Sequence, residues 1–326
     1  MAAVPLVDEV HMRVAVLDDT HQAYEQTAGL RRLRQRADVQ IFTAPFGDPA
    51  ALYGFDAIVA NRERTRFTRS LFEQLPDLRI IAQTGNHAYH IDLAAAQERG
   101  IVVAKASGGF CTGAGELAIG LAIMLMRQIP AASAGVKSGD WPSPLGRELH
   151  GKTMGIVGLG HVGCHVAKIA NAFGMRVLSW SRRPDADAAA SVGAESFELD
   201  DLLRTSDVVS VHATLGPQTR GLLDARRLGL MKATAYLINT ARGPIVDENS
   251  LVVALASGRI AGAALDVFDR EPLPRGHPLT NLPNVILTPH LGWPTDKMYE
   301  QFAEAVADVL LAYLDGRDVP RFVDQH

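Results

Sequence analysis

Short apolar runs alternate with polar, helix-compatible stretches through the first third of the chain. Arg13-Val-Ala-Val-Leu17, closed by Asp18-Asp19, has the pattern of a buried strand, and His21 to Arg36 follows as a helical stretch. Further runs stand at Val39–Phe42, Ala57–Ala60 and Leu78–Gln83. This alternation predicts βαβ units on a parallel sheet, filling roughly the first 105 residues. Ser107-Gly108-Gly109 breaks the series. A long helix is then expected from about Thr112 to Gln128, closed by Pro130, with a Gly-, Pro- and Trp-containing loop over Ser138–Gly151. A second βα series begins at Met154, with strands expected at Met154–Leu159, Arg176–Trp180, Val208–Val211, Thr234–Asn239, Gly262–Leu265 and Val285–Leu287. The last helix, about Thr295 to Leu314, places Phe302, Val306, Val309, Leu310 and Tyr313 near a helical period.

Composition narrows the class. The 326 residues suggest two domains, and 47% hydrophobic content excludes wholesale disorder. Thirty-two Lys and Arg against 36 Asp and Glu give a net charge of -4, which argues against a general nucleic-acid binder. The longest apolar run, Leu117 to Met126, is about half a bilayer span, so no membrane segment is expected. Asp8 and Glu9 near the start speak against a secretory signal. Two cysteines, Cys111 and Cys164, cannot build a disulfide framework, and a cytoplasmic setting fits.

Two Gly-rich phosphate signatures stand a few residues apart. Gly146-Arg-Glu-Leu-His-Gly151-Lys152-Thr153 matches the nucleotide-triphosphate P-loop pattern, but a strand follows it where a helix is needed, so it reads as coincidence. Gly158-Leu159-Gly160-His161-Val162-Gly163 lies directly after a strand and before a helix, His161 to Phe173. In that context Gly158 permits the tight turn, Gly160 the approach of a pyrophosphate, and Gly163 the packing of helix on strand. The next strand ends in Ser181-Arg182-Arg183, where an NAD-selective site would place a carboxylate for the ribose hydroxyl. A guanidinium there attracts a 2′-phosphate, so NADP(H) is the expected cofactor, with NAD(H) possible. Asp185 and Asp187 lie too far along to be the usual ribose acceptor.

Three successive strand ends in the second half carry the candidate chemistry. Asn239-Thr240-Ala-Arg242-Gly-Pro follows one strand, Asp266-Val-Phe-Asp-Arg-Glu271-Pro the next, and Thr288-Pro-His290-Leu-Gly-Trp293 the one after. Ligands of open α/β sheets bind at that edge. Arg242 would pair with a substrate carboxylate and polarise a keto oxygen, His290 would be the general acid, and Glu271 would fix the imidazole tautomer. That set suits hydride transfer to a small 2-oxo acid.

These motifs, with Gly151-Lys-Thr-Met-Gly-Ile-Val-Gly-Leu-Gly160 and Asn239-Thr-Ala-Arg-Gly-Pro-Ile-Val-Asp247, resemble those of D-isomer-specific 2-hydroxyacid dehydrogenases over nearly the whole chain. The resemblance implies that Arg242, Glu271 and His290 are catalytic, that Asp266 meets the nicotinamide carboxamide, and that Gly158 to Gly163, Ser181 to Arg183, His212 and Thr240 line the cofactor. Formate dehydrogenases of the superfamily carry Gln where Glu271 stands, which speaks against that activity. The implied fold is α/β: two doubly wound parallel-sheet domains, with a Rossmann-type cofactor domain, 106–290, inserted into a flavodoxin-like substrate domain, 1–105 plus 291–326. Catalysis is expected in the cleft between them. A homodimer built around the helix near Thr112–Gln128 is also implied.

The chain departs from the family at two places. The expected substrate-carboxylate loop reads Thr84-Gly85-Asn86-His87-Ala-Tyr-His90-Ile-Asp92, with His87 in place of the second Gly. Thr214 stands where the family usually has Pro. Arg64, beside Arg62 in Asn61-Arg-Glu-Arg-Thr65, is a candidate for a second anionic substrate group, and Trp293 for the pocket wall. His87 with His90, and His161 with His165, have helical or near-helical spacing but no completing ligands, so no metal site is expected. The expected reaction is NADP(H)-linked reduction of glyoxylate or hydroxypyruvate. A phosphoglycerate dehydrogenase-like activity and a dinucleotide-sensing corepressor are the alternatives.

Overall fold

The computed structural model describes residues 12–85, 87–109 and 112–322. The chain divides into two compact units, Met1–Gly109 with Thr295–His326, and Phe110–Pro294. In the first unit, β1 (Met12–Val16), β2 (Ala37–Ile41), β3 (Ala57–Ala60), β4 (Ile80–Thr84) and β5 (Val102–Ala106) form an all-parallel sheet in the order β2-β1-β3-β4-β5. Every residue of β3 and β4 is buried, as expected of parallel strands covered on both faces. The helix Asp296–Leu314 belongs to this unit and packs on the helix Ala28–Leu33, so closely that a Cβ on Gly29 would lie 2.3 Å from the Ala303 carbonyl.

The second unit is a seven-stranded parallel sheet. β6 (Thr153–Val157), β7 (Arg176–Trp180), β8 (Ala194–Ser196), β9 (Val208–Val211), β10 (Tyr236–Asn239), β11 (Gly262–Leu265) and β12 (Val285–Leu287) run in the order β12-β11-β10-β9-β6-β7-β8. The order reverses at β6, which pairs with both β7 and β9; this switch point opens a crevice at the strands' carboxyl ends. The two doubly wound sheets are the fold class the sequence pattern predicts.

Several boundaries differ from expectation. The polar stretch 21–36 is helical only over Ala28–Leu33, where Thr27 caps it and Leu30 and Leu33 anchor it in the core. The long helix ends at Met126, before Pro130: Gln128 adopts φ 53°, and Pro130 sits in the first turn of a second helix, Ile129–Lys137, where its missing N–H costs nothing. The P-loop-like stretch 146–151 is loop, and Thr153 already lies in β6, so no helix receives it. Among the described residues, no single helix is long and apolar enough to cross a membrane.

Candidate active site

The Gly-rich turn after β6 is shaped by backbone crowding. Gly158 adopts φ 104°, and a Cβ there would lie 2.5 Å from the Ala213 amide at the end of β9. Gly163 sits one turn into the helix His161–Ala172, where a Cβ would come within 2.2 Å of the Gly158 carbonyl oxygen. Gly160, by contrast, faces open space, and the helix it precedes has no side-chain cap. A helix start of this kind, next to an open glycine, is suited to an anion. Leu159 and Val162 are half-buried around the turn, and His161 is exposed at the helix start.

Ser181, just past β7, closes the turn: its Oγ accepts a hydrogen bond from the Leu159 amide at 3.0 Å. Arg182 and Arg183 follow, exposed, and line an open pocket of about 500 Å³ with Pro217 and Gln218. The Asp185 carboxylate caps the helix Ala186–Ser191, accepting from the Ala188 amide at 2.9 Å. At the end of β9, His212 pairs through Nε2 with Ser210 Oγ at 2.8 Å, and burial pushes its pKa down to about 4. The Thr240 hydroxyl, beyond β10, is buried without a protein partner among the described residues. An open glycine, an uncapped helix start and an orphaned hydroxyl at one sheet edge fit a bound dinucleotide.

The strand ends of β10, β11 and β12 carry the other cluster. Asn239 shapes the first loop, its side chain accepting from the Ala241 amide and donating to the Arg242 carbonyl at 3.0 Å each. Gly243 then packs onto the second loop, where a Cβ would lie 2.0 Å from the Phe268 carbonyl carbon. The loop carrying Arg242 thus rests directly on the loop carrying Glu271. Asp266, fully buried, accepts from Thr288 Oγ1 and the Leu291 amide through Oδ1, and from the Gly292 amide through Oδ2. It ties the second loop to the third. A carboxylate accepts about four hydrogen bonds, so roughly one position remains for a ligand. Burial pushes the Asp266 carboxyl up, and these donors only partly offset it.

Glu271 and His290 meet at 2.7 Å, Oε2 to Nδ1, while Glu271 Oε1 accepts from the Phe268 amide at 3.0 Å. A carboxylate at Nδ1 requires the proton there, leaving Nε2 to face outward. Burial pushes the Glu271 carboxyl up, but the His290 bond and charge, the Phe268 amide and Arg242 outweigh it, and its pKa falls below the ordinary range. His290 holds φ 57°, a left-handed conformation uncommon for a side chain of this size. Trp293 is half-buried three residues further on.

In the first unit, Gly85 ends β4 at φ 94°, and Asn86 lies outside the described residues. Arg64 is turned onto the Asp18 carbonyl at 2.5 Å and Thr20 Oγ1 at 2.8 Å. Arg62, which a sequence view groups with Arg64, lies instead against Gly85: a Cβ on that glycine would meet its Nη1 at 2.5 Å. His87 stands 3.8 Å from Glu63. His90 is buried on Gln83 Oε1 at 3.1 Å, and burial lowers its pKa. The structural parts played by Asn239 and Thr288 escape a motif reading. Only the Asx-turn tendency of Asn, three residues before Arg242, signals the first.

Comparison with known proteins bears on these loops. A family model described as "D-isomer specific 2-hydroxyacid dehydrogenase, NAD binding domain" matches residues 119–292. A glyoxylate reductase of Thermococcus litoralis is 36% identical over 311 residues, 91% of this chain and 93% of its own. A D-3-phosphoglycerate dehydrogenase of Methanocaldococcus jannaschii is 37% identical over 262 residues, 79% of this chain but 50% of its own length. The crystal structure of a phosphoglycerate oxidoreductase from Vibrio cholerae superposes with a TM-score of 0.84 at 31% identity, covering 94% of this chain and 99% of that one.

Proposed function

The chain belongs to the D-isomer-specific 2-hydroxyacid dehydrogenase family, and we propose that it is an NADP(H)-preferring reductase of small 2-oxo acids, acting on glyoxylate and hydroxypyruvate. The observation that carries this reading is the Glu271–His290 pair at 2.7 Å, on loops packed directly against the one bearing Arg242. Arg242 would take the substrate carboxylate in a bidentate pair and draw electron density from the keto oxygen. His290 would deliver the Nε2 proton to that oxygen as it becomes a hydroxyl, with Glu271 holding Nδ1–H throughout. A dinucleotide held by the glycine-rich turn would supply the hydride for the keto carbon, giving glycolate from glyoxylate and the D-hydroxy acid from hydroxypyruvate.

Gly158, Gly160 and Gly163 would hold the pyrophosphate on the first turn of the helix, with Leu159, His161 and Val162 around it. Ser181, His212, Thr240 and Asp266 complete the proposed cofactor set, and Gly85, Asn86, His87, Arg64 and Trp293 the substrate set. The NADP(H) preference rests on Arg182 and Arg183 at the ribose end and on the engagement of Asp185 as a helix cap. A phosphoglycerate dehydrogenase-like activity is the second reading, favoured by relatives of that name. We also read the chain as a homodimer: the helix Ile129–Lys137 has no buried residue, and Trp141 and Leu145 beyond it are 86% and 93% exposed. Steady-state rates for glyoxylate, hydroxypyruvate and its 3-phosphate ester, each with NADPH and NADH, test the set. A protein that binds dinucleotide yet turns over no 2-oxo acid would not be this enzyme.

A further inference from the structure

One carboxylate that the proposed chemistry does not use ties down both ends of the loop carrying Glu271. From Asp269 to Gly276 no residue is buried; Leu273 and Pro274 are half-buried, and the chain returns to the core at Leu279. A loop with so little apolar anchorage depends on polar ties to keep its place. Glu248 supplies two. It stands in the first turn of the helix Glu248–Ala256, which is anchored by buried Leu251, Ala254 and Leu255 and capped by Asp247. Its Oε2 accepts from the Asp269 amide at 3.3 Å, and its Oε1 accepts from His277 Nε2 at 3.1 Å. His277 Nδ1 in turn accepts from the Leu279 amide at 3.4 Å, which leaves the ring proton on Nε2, toward Glu248. The Glu248 and His277 side chains are mostly covered, at 20% and 17% exposure. All of these residues lie in the unit Phe110–Pro294.

We propose that Glu248 is a positioning residue: by tying Asp269 and His277 to one anchored helix, it keeps the Glu271 carboxylate on His290 Nδ1. The inference rests on the proposed reductase activity, with Glu271 and His290 as its acid–base pair. Asp269 precedes Glu271 and His277 follows it, so the backbone on either side of Glu271 is held to the same point. The Glu271–His290 contact of 2.7 Å joins two separate loops. A drift of roughly 1 Å in either loop takes that contact out of hydrogen-bond range. The same helix follows the loop of Arg242, whose Gly243 packs on the Phe268 carbonyl, so Glu248 ties the Glu271 loop to the element that also places Arg242. A glutamine at this position can still accept from the Asp269 amide and donate to Nε2 of the other His277 tautomer, losing only the long Leu279 contact. An alanine can do neither.

The test measures kcat with glyoxylate and the Kd for NADPH in wild type, Glu248→Ala, Glu248→Gln and His277→Ala, and repeats Glu248→Ala in a Glu271→Gln background. Glu248→Ala should lower kcat about tenfold while the Kd stays within about twofold, because the tie holds a reacting group and not the glycine-rich turn. Glu248→Gln should recover most of that loss. His277→Ala frees one end of the loop and should fall between, and it carries the test if Glu248→Ala folds poorly. Added to Glu271→Gln, Glu248→Ala should cost less than about threefold, since the contact it protects is already lost. Amide hydrogen exchange over residues 268–277 should quicken at least about tenfold in Glu248→Ala and stay unchanged over 156–163. A kcat within about twofold of wild type in the folded alanine variants, unchanged exchange over the loop, or an equal fall with and without the Glu271 carboxylate overturns the inference and leaves the reductase reading intact. A wild type that turns over no 2-oxo acid would instead overturn the reductase reading, and this inference with it.

Discussion

Replacing Glu271 with Gln isolates the charge of the acid–base pair while keeping its shape. The Gln amide oxygen can still accept from the Phe268 amide, as Glu271 Oε1 does at 3.0 Å. Its NH₂ then faces His290 Nδ1, where a carboxylate oxygen stood at 2.7 Å. Two donors cannot share that contact, so the imidazole is driven to carry its proton on Nε2 alone, and the doubly protonated ring loses its counter-charge. A charge-assisted hydrogen bond contributes roughly 1.5–3 kcal/mol. The side chains of His290 and Glu271 are 28% and 36% exposed, and screening places the pair toward the low end of that range. A loss of about 1.5–2 kcal/mol corresponds to a fall in kcat of roughly 10- to 30-fold. Stopped-flow oxidation of NADPH by glyoxylate between pH 5 and 9 should show this fall. An unchanged kcat would refute the assignment of Glu271 as the residue that holds the acid.

Other positions give independent checks. Arg182→Ala with Arg183→Ala should raise the KM for NADPH at least about tenfold relative to that for NADH, since each phosphate contact is charge-assisted; an unchanged ratio contradicts the NADP(H) preference. Gly163→Ala would drive a methyl to within 2.2 Å of the Gly158 carbonyl, and both melting temperature and dinucleotide affinity should drop. His212 titrates near 6.5 when unfolded and near 4 when folded, so the unfolded chain binds its proton first as pH falls. The stability it supports is complete above about pH 6.5 and is lost toward pH 4, by at most about 3.4 kcal/mol. Urea titrations of His212→Asn should show a flatter slope over that window. Asp266→Asn should lower stability as well as activity, by about 1–3 kcal/mol, because the amide keeps only one acceptor oxygen and its NH₂ must face a donor such as the Gly292 amide.

What was legible in the sequence follows from what is local. Buried parallel strands are apolar throughout, and Ala57–Ala60, Arg176–Trp180, Val208–Val211, Gly262–Leu265 and Val285–Leu287 stand where the hydrophobic runs put them. β8 is a three-residue edge strand with Glu195 and Ser196 exposed, too short and too polar to register. The break at Gln128 depends on one dihedral that Pro130 only hints at. In the site, the spacing of Arg242, Glu271 and His290 after consecutive strands is a property of the chain order. The direction of a guanidinium is not. Arg62 rather than Arg64 lies against Gly85 because Thr84 and Gln83, some 20 residues away, clamp its backbone. Asp266 likewise acts across 22 to 26 residues, on Thr288, Leu291 and Gly292, a role no local motif encodes.

The central claim is that Arg242, Glu271 and His290 reduce a small 2-oxo acid. Its most direct test is the rate of NADPH oxidation by glyoxylate with wild type and His290→Ala at matched dinucleotide occupancy. Removal of a general acid costs about 10²- to 10⁴-fold, so wild type should turn over and the variant should fall by that factor while still binding the dinucleotide. Dinucleotide binding by wild type without turnover of glyoxylate or any other 2-oxo acid, or equal rates in the two proteins, would contradict the account.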